Sequence, residues 1–492
     1  MIEHGRHDFA IIGGGPAGMA AAVVAERYGM KTCLIDEQPR MGGQIYRQPP
    51  SDFSVSLWLP GVTYAKGKAL IARAQALASV KHIAPATVWG CFRASDGVAD
   101  AAHDVLFHDD QTAGRVSARH VLIATGCYEA PVAFPGWQLP GVMGAGAVQT
   151  LLKSQRVAAG RSIVLAGSHP LLFVVAQQLL AAKIEIAAVV FAQPLGAVWR
   201  LVRALPTAVT GLRQLLNTAM TLAALRRAAV PVFYGHAVVE ALGARGLEAV
   251  RIRCLTTGTS REINCDALGV CYGFLPSSEL ARQCGAEHRW ASEGGWVTQT
   301  DEFLRTSIPG ILVAGELTGV AGAEAAAVSG EIAATGAAMD QGRIAISDLE
   351  PHMRTLQRRL ARLRRFATLL ATLSTPDAGL LDTLAQRSTL ICRCEDILRG
   401  QIEDAVRADS GVSSASTVKL LTRAGMGFCQ GRMCEINVRR IIAKERHIPL
   451  AQVPGYVTRP PIKPIPIALL ASLPHALLIE PNMLTSPPDG SP

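Results

Sequence analysis

The chain has 492 residues, 49% of them hydrophobic and 18% charged, with a formal net charge of +9. That length and apolar content can fill about three domain cores and exclude a disordered or fibrous protein. The positive balance has no basic tail and no Arg/Lys run interleaved with aromatics, which argues against nucleic acid.

Met1 is followed by Glu3, His4, Arg6, His7 and Asp8, without the apolar region and cleavage site of a leader. A cytoplasmic location, at most peripheral to the inner membrane, is expected. Phe9–Ile12 then forms an apolar run entering Gly13-Gly14-Gly15-Pro16-Ala17-Gly18, and alanine-rich helical sequence continues to Arg27. Such a strand, turn and helix suits a dinucleotide: Gly13 allows the turn, Gly15 lets the pyrophosphate approach, and Gly18 lets helix lie against strand. Pro16 and Ala17 open the helix whose N-terminus faces the phosphate charge. Thr32–Ile35 is a second strand ending in Asp36-Glu37, and Asp36 lies 23 residues after Gly13, near the separation expected of a ribose-binding carboxylate.

Beyond the acids stands Gly42-Gly43-Gln44, a spacing that resembles the FAD-type Rossmann domains of the amine oxidase and glutathione reductase superfamily. Two later segments resemble it too. Val121–Ala124 leads into Thr125-Gly126, a turn passing near the dinucleotide. Ile311–Ala314 leads into Gly315-Glu316, where the superfamily usually has an aspartate bonding the ribityl chain. Between them, Ser162–Ala166 enters Gly167-Ser168-His169-Pro170-Leu171-Leu172. There His169 and Leu172 occupy the second and third glycine places and would crowd a pyrophosphate. The insert is therefore expected not to use NAD(P)H, leaving another nucleotide or an empty relic. The uncharged stretch Ser162–Ala182, broken by this turn, reads as buried α/β core and not as a membrane span.

Arg354, Arg358, Arg359, Arg362, Arg364 and Arg365 alternate with leucines at helical spacing, predicting an amphipathic helix with a solvated face. Of the eleven cysteines, seven are scattered (Cys33, Cys91, Cys127, Cys254, Cys265, Cys271, Cys284) and read as small apolar residues. The other four read Cys392-x-Cys394, 34 residues, then Cys429-x4-Cys434. Two thiolate pairs can hold a [2Fe-2S] cluster. Structural zinc is the rival, disfavoured by the single-residue spacing of the first pair. Arg393, Arg423 and Arg432 would offset the cluster's negative charge, and Gly425, Gly427 and Gly431 permit close backbone approach. No Cys-x-x-Cys occurs, so disulfide reductase chemistry is set aside.

With these residues placed, the chain resembles the larger FAD/[2Fe-2S] subunit of heteromeric dehydrogenases, a group that includes octopine and nopaline oxidases, D-hydroxyproline dehydrogenase and hydrogen cyanide synthase. The resemblance spans nearly the whole length. It rests on Gly-Gly-Gln-Ile-Tyr-Arg at 42–47, Ala-Thr-Gly-Cys-Tyr-Glu at 124–129, Phe-Pro-Gly-Trp at 134–137, Tyr-Gly-Phe-Leu-Pro at 272–276 and the two cysteine elements. It implies a C-terminal module similar to the bacterioferritin-associated ferredoxin, and a substrate-oxidising flavin on a partner subunit similar to D-amino-acid oxidase. It also implies electron relay to a respiratory or artificial acceptor, with or without a further small [2Fe-2S] subunit. Substrate catalysis would then lie on the partner, leaving this chain without a catalytic residue of its own. The alternative is a self-sufficient NAD(P)H-dependent reductase; a zinc-holding scaffold is the non-enzyme reading.

The expected architecture is α/β: an FAD-binding domain (1–155 and 301–345), an inserted NAD(P)-like Rossmann domain (156–300), a basic linker helix (346–388), a small helical [2Fe-2S] domain (389–450) and a proline-rich arm (451–492).

Overall fold

The computed structural model describes residues 2–50, 52–53, 62–93, 103–109, 111–198, 204–291, 295–376 and 379–472. The end of the arm, including 486–492, lies outside them.

Phe9–Ile12 and Thr32–Ile35 lack charge because both faces are covered, as a central parallel strand requires. Ile2–Ile12 lies between Thr32–Ile35 and Ala113–Ile123, parallel to both. Val80–Ile83 pairs beyond Thr32–Ile35, and Ile311–Val313 pairs parallel with Val121–Ile123. The antiparallel strands Thr87–Arg93 and His103–His108 complete a seven-stranded sheet. Helices Pro16–Arg27 and Ala323–Asp340 share one core with Phe9, Ile11 and Leu34. Their small side chains let them nearly touch: a Cβ on Gly330 would stand 2.0 Å from the Ala17 carbonyl oxygen.

The second sheet is five-stranded and parallel, in the order Val232–Tyr234, Glu185–Phe191, Ser162–Gly167, Ala267–Cys271 and Val142–Gly144. Its outer strand Val142–Gly144 lies upstream of the boundary expected at 156, since three residues carry too short a pattern to read. The return also comes before 300. Leu280 and Ala281 are buried with Ala10, Ile12 and Ile35 of the first sheet, so the chain crosses back close to Phe274–Pro276. A three-stranded antiparallel sheet, 236–264, flanks the insert.

The basic segment is one helix, Ile346–Ser374. Met353, Leu356 and Leu360 are buried against the first domain, while Arg359 reaches Glu324 at 2.6 Å. Beyond it, a hairpin (Leu390–Cys392, Ile397–Leu398) and helices Arg399–Ala408, Ala415–Thr422 and Glu435–Arg446 form the last domain. Its core is continuous with that of the insert. Polar contacts fix the docking: Trp137 Nε1 donates to the Leu390 carbonyl at 2.6 Å, Asn437 Nδ2 to that of Pro131 at 3.2 Å, and Arg432 lies 3.2 Å from Glu279. The arm runs extended over the first domain, with Ile462 N donating to the Trp89 carbonyl and Lys463 paired with Glu37. Among the described residues no helix is long and apolar enough to cross a membrane.

Candidate functional site

The glycine turn is built as its spacing demands. Gly13 has φ +108°, and a Cβ there would meet the Ala124 carbonyl oxygen at 2.4 Å. Around Gly15 the space is open, with nothing nearer than Gly43 Cα at 3.9 Å from such a Cβ. That cradle, at the start of helix Pro16–Arg27, fits a pyrophosphate. Asp36 sits beside it with its carboxylate accepting from Gly14 N and, at 2.6 Å, from Gln38 N. Its oxygens thus serve the turn, and a ribose hydroxyl would have to share them. Burial, outweighing these donors, holds the Asp36 carboxyl above its usual range. Glu37 is turned to Lys463.

Thr125 Oγ1 donates to the Ser277 carbonyl at 2.8 Å, and Ser277 N donates back to Gly126 O at 2.9 Å, tying this turn to the returning chain. Gly315 has φ +74°, with its N–H on Ser329 Oγ at 2.8 Å. Glu316 caps the approach to helix Ala323–Asp340, accepting from Ala321 N at 2.7 Å and Gly322 N at 3.0 Å. Burial pushes its carboxyl up to about 7 against the pull of those amides. Gly43 lies against Gly15, and Gln44 Nε2 donates to the Cys127 carbonyl at 3.1 Å.

Two further ionisable groups gather here that the sequence did not mark. Glu129 accepts from Gly146 N at 3.0 Å and lies beside the Cys271 thiol; burial pushes its carboxyl up to about 7. Lys153 Nζ donates to Gln44 O at 2.7 Å, Ile45 O at 3.1 Å and Gln149 Oε1 at 2.9 Å. Burial, with the nearby Arg47 charge, pulls its amine down to about 7. Glu129 belongs to a quoted motif but carried no role there. Lys153 had no signal at all, being one lysine in a helical stretch.

At the second fingerprint, the N–H groups of Ser168 and His169 both donate to the Cys271 carbonyl, at 2.9 and 3.2 Å. The His169 ring packs edge-to-face on Phe274, 4.8 Å between centroids, and burial holds its pKa down to about 4. Leu172 is fully buried in the insert's core.

The four clustered cysteines stand as two thiol pairs, Cys392 with Cys434 and Cys394 with Cys429. Cys392 and Cys434 are buried, Cys429 is half-buried and Cys394 is exposed. Among the described residues no three His, Cys, Asp or Glu side chains converge as a single-ion site. Two dithiol pairs, supplying two thiolates per iron, fit a two-iron cluster. The Cys434 thiol, followed by the amides of Gly425, Glu395 and Cys394, draws the Cys392 pKa down to about 5. Gly427 backs Cys394, where a Cβ would meet Cys394 Cβ at 2.1 Å. Gly425 and Gly431 make room instead for the Tyr456 ring, whose hydroxyl donates to Ala424 O at 3.0 Å. Of the three arginines, Arg423 reaches Glu395 at 2.9 Å, Arg393 stacks over Trp137 at 5.3 Å and Arg432 pairs with Glu279.

Comparison with known proteins agrees with both sites. Residues 7–342 match the family described as pyridine nucleotide-disulphide oxidoreductase, and residues 390–444 match the BFD-like [2Fe-2S] binding domain. The A subunit of opine oxidase from Agrobacterium tumefaciens is 35% identical over 472 residues, covering 95% of this chain and 92% of that one. The HcnB subunit of hydrogen cyanide synthase from Pseudomonas protegens is 33% identical, covering 86% and 89%. L-Proline dehydrogenase from P. horikoshii shares the fold, with a TM-score of 0.70 at 21% identity over 96% of this chain and 80% of that one. Those matches assign FAD to the first domain and a [2Fe-2S] cluster to the last. The chain is an oxidoreductase belonging to the pyridine nucleotide-disulphide oxidoreductase family, of the iron–sulfur-bearing kind found in the opine oxidase and hydrogen cyanide synthase relatives.

Proposed function

We propose that this chain is the electron-relay subunit of a heteromeric dehydrogenase whose partner, a flavin subunit, oxidises a C–N bond of an amino acid or opine. The observation that carries the reading is the four-cysteine domain docked on the flavin body through Trp137, Asn437 and Arg432. FAD, when bound, links two-electron oxidation to the single-electron capacity of a [2Fe-2S] cluster. This chain's residues hold and tune that pair. Gly13, Gly15, Pro16, Ala17 and Gly18 cradle the pyrophosphate; Asp36, Gln44, Thr125, Gly126, Gly315 and Glu316 line the path of the dinucleotide. Glu129 and Lys153, both poised near neutrality, can hold or release protons beside it. Cys392, Cys394, Cys429 and Cys434 take the iron.

The relatives support a role within a complex: besides the two above, the alpha subunit of sarcosine oxidase from Rhizobium meliloti is 26% identical over 94% of this chain, which spans 42% of that protein. The spent amides at Ser168 and His169 support an insert that does not take NAD(P)H. The complex would deliver electrons to a respiratory acceptor, with or without a small [2Fe-2S] subunit. The test is the visible spectrum of anaerobically purified protein before and after dithionite, with iron and acid-labile sulfide assayed on the same sample. Flavin bands over a reducible iron–sulfur absorption, at about two irons per chain, are expected. Rapid flavin bleaching by NADH or NADPH alone would replace the relay with a reductase, and zinc without iron would remove the electron path.

A further inference from the structure

Between the flavin body and the four-cysteine domain lies a cavity of about 220 Å³ that neither cofactor site uses. Trp290 and Trp296 of the body, Arg439 of the helix Glu435–Arg446 and Tyr456 of the arm contribute to its wall. Arg439 is 0% exposed, its guanidinium carbon 3.8 Å from the Trp290 ring centroid and 4.8 Å from that of Trp296. Two of its nitrogens are anchored: Nε donates to the Val453 carbonyl at 2.8 Å and Nη2 to that of Leu450 at 2.9 Å. The third, Nη1, is buried and has no hydrogen-bond partner among the described residues, and the same holds for Trp296 Nε1.

A buried guanidinium nitrogen without an acceptor is among the costliest groups a fold can keep. Here two bare donors face one cavity, and the rest of the arginine is immobilised by two carbonyls and two indole rings. The charge balance points the same way. Five cationic side chains line the wall against two carboxylates, Glu279 and Glu435. Those two are already matched, Glu279 by Arg432 at 3.2 Å and Glu435 by Arg282 at 3.9 Å. The unmet need is for acceptor oxygens carrying negative charge. The two indoles, 5.3 Å apart and edge-on, offer an apolar wall for a short carbon skeleton. The volume exceeds the roughly 150 Å³ that admits benzene, so an acid of amino-acid size fits.

We propose that this cavity is a binding site for a small organic carboxylate, whose oxygens accept from Arg439 Nη1 and Trp296 Nε1. Gly425 and Gln430 of the cysteine loop share the same wall, so an occupant would sit against the shell of the cluster. The proposal stands on the cavity and its donors, and survives or fails separately from the relay reading.

Isothermal titration of the full-length holoprotein with acetate, pyruvate and succinate, in a carboxylate-free buffer, tests it, with succinamide as uncharged control. Saturable binding of at least one acid and none of succinamide is expected. Affinity should fall at least tenfold in Trp296→Phe, which keeps the ring and loses the N–H, with the absorption of both cofactors unchanged. Absence of saturable binding by all three acids would mean a solvent-filled cavity and overturn the proposal. Equal binding of succinamide, or undiminished affinity in Trp296→Phe, would overturn it as well. Since Arg439→Gln can fail to fold, Trp296→Phe decides.

Discussion

Cys392 is readied for metal by its surroundings: the Cys434 thiol and three backbone amides stabilise its thiolate before iron arrives. Cys392→Ser is therefore expected to drop iron from about two per chain to near zero while flavin is retained; Cys254→Ser, at a thiol remote from the cluster in sequence, should leave iron unchanged. Metal and sulfide assays on both variants check this. The cysteines were legible because their spacing is written in the chain. Glu129 and Lys153 were not, because what makes each unusual is burial between domains. A carboxyl held above its ordinary range favours the protonated form in the folded state. The Glu129 contribution is thus fully present below about 4.5 and is lost as pH rises to about 7. Glu129→Gln removes that loss, so the variant should exceed the parent in stability at pH 8 by up to about 3 kcal/mol and match it near pH 4. Denaturant melts at the two pH values measure it; a constant difference between them would count against the buried-carboxyl account.

The pairing of helices Pro16–Arg27 and Ala323–Asp340 explains why both are alanine- and glycine-rich. Their backbones approach so closely at Ala17 and Gly330 that a methyl group has no room. Gly330→Val should cost about 3 kcal/mol or more by overpacking and lower bound flavin, since the shifted helix carries the glycine turn. Thermal melts and flavin content report both effects, and an unchanged flavin stoichiometry would separate the packing from the site. Strand, turn and helix at residues 9–27 were readable from local pattern alone. Val142–Gly144 and the early return at Phe274–Pro276 were not, because short strands acquire meaning only from the neighbours they pair with.

For the whole molecule, the consequence of the docked cluster domain is that metal and interface should be coupled. Removing iron with a chelator should lower the melting temperature, because the hairpin 390–398 and the loop 424–434 are closed on each other by the cluster. Trp137→Phe, which loses the hydrogen bond to Leu390 O at 2.6 Å, should cost about 1 kcal/mol and make the domain more protease-sensitive. Limited proteolysis followed by mass analysis would show cleavage moving toward the 377–389 connection. The amino-acid sequence by itself determined the α/β class, the flavin turn, the blocked second fingerprint and the four cysteines. Each of these is a local signal, a spacing of glycines or thiols that dictates chemistry wherever the chain folds. Only the tertiary structure decided where the domains begin and end, how the cluster module seats on the body, which acids and amines sit near neutrality, and that Arg439 and Trp296 leave two donors bare in one cavity. Those depend on burial and on contacts between residues hundreds of positions apart, and no local pattern encodes them.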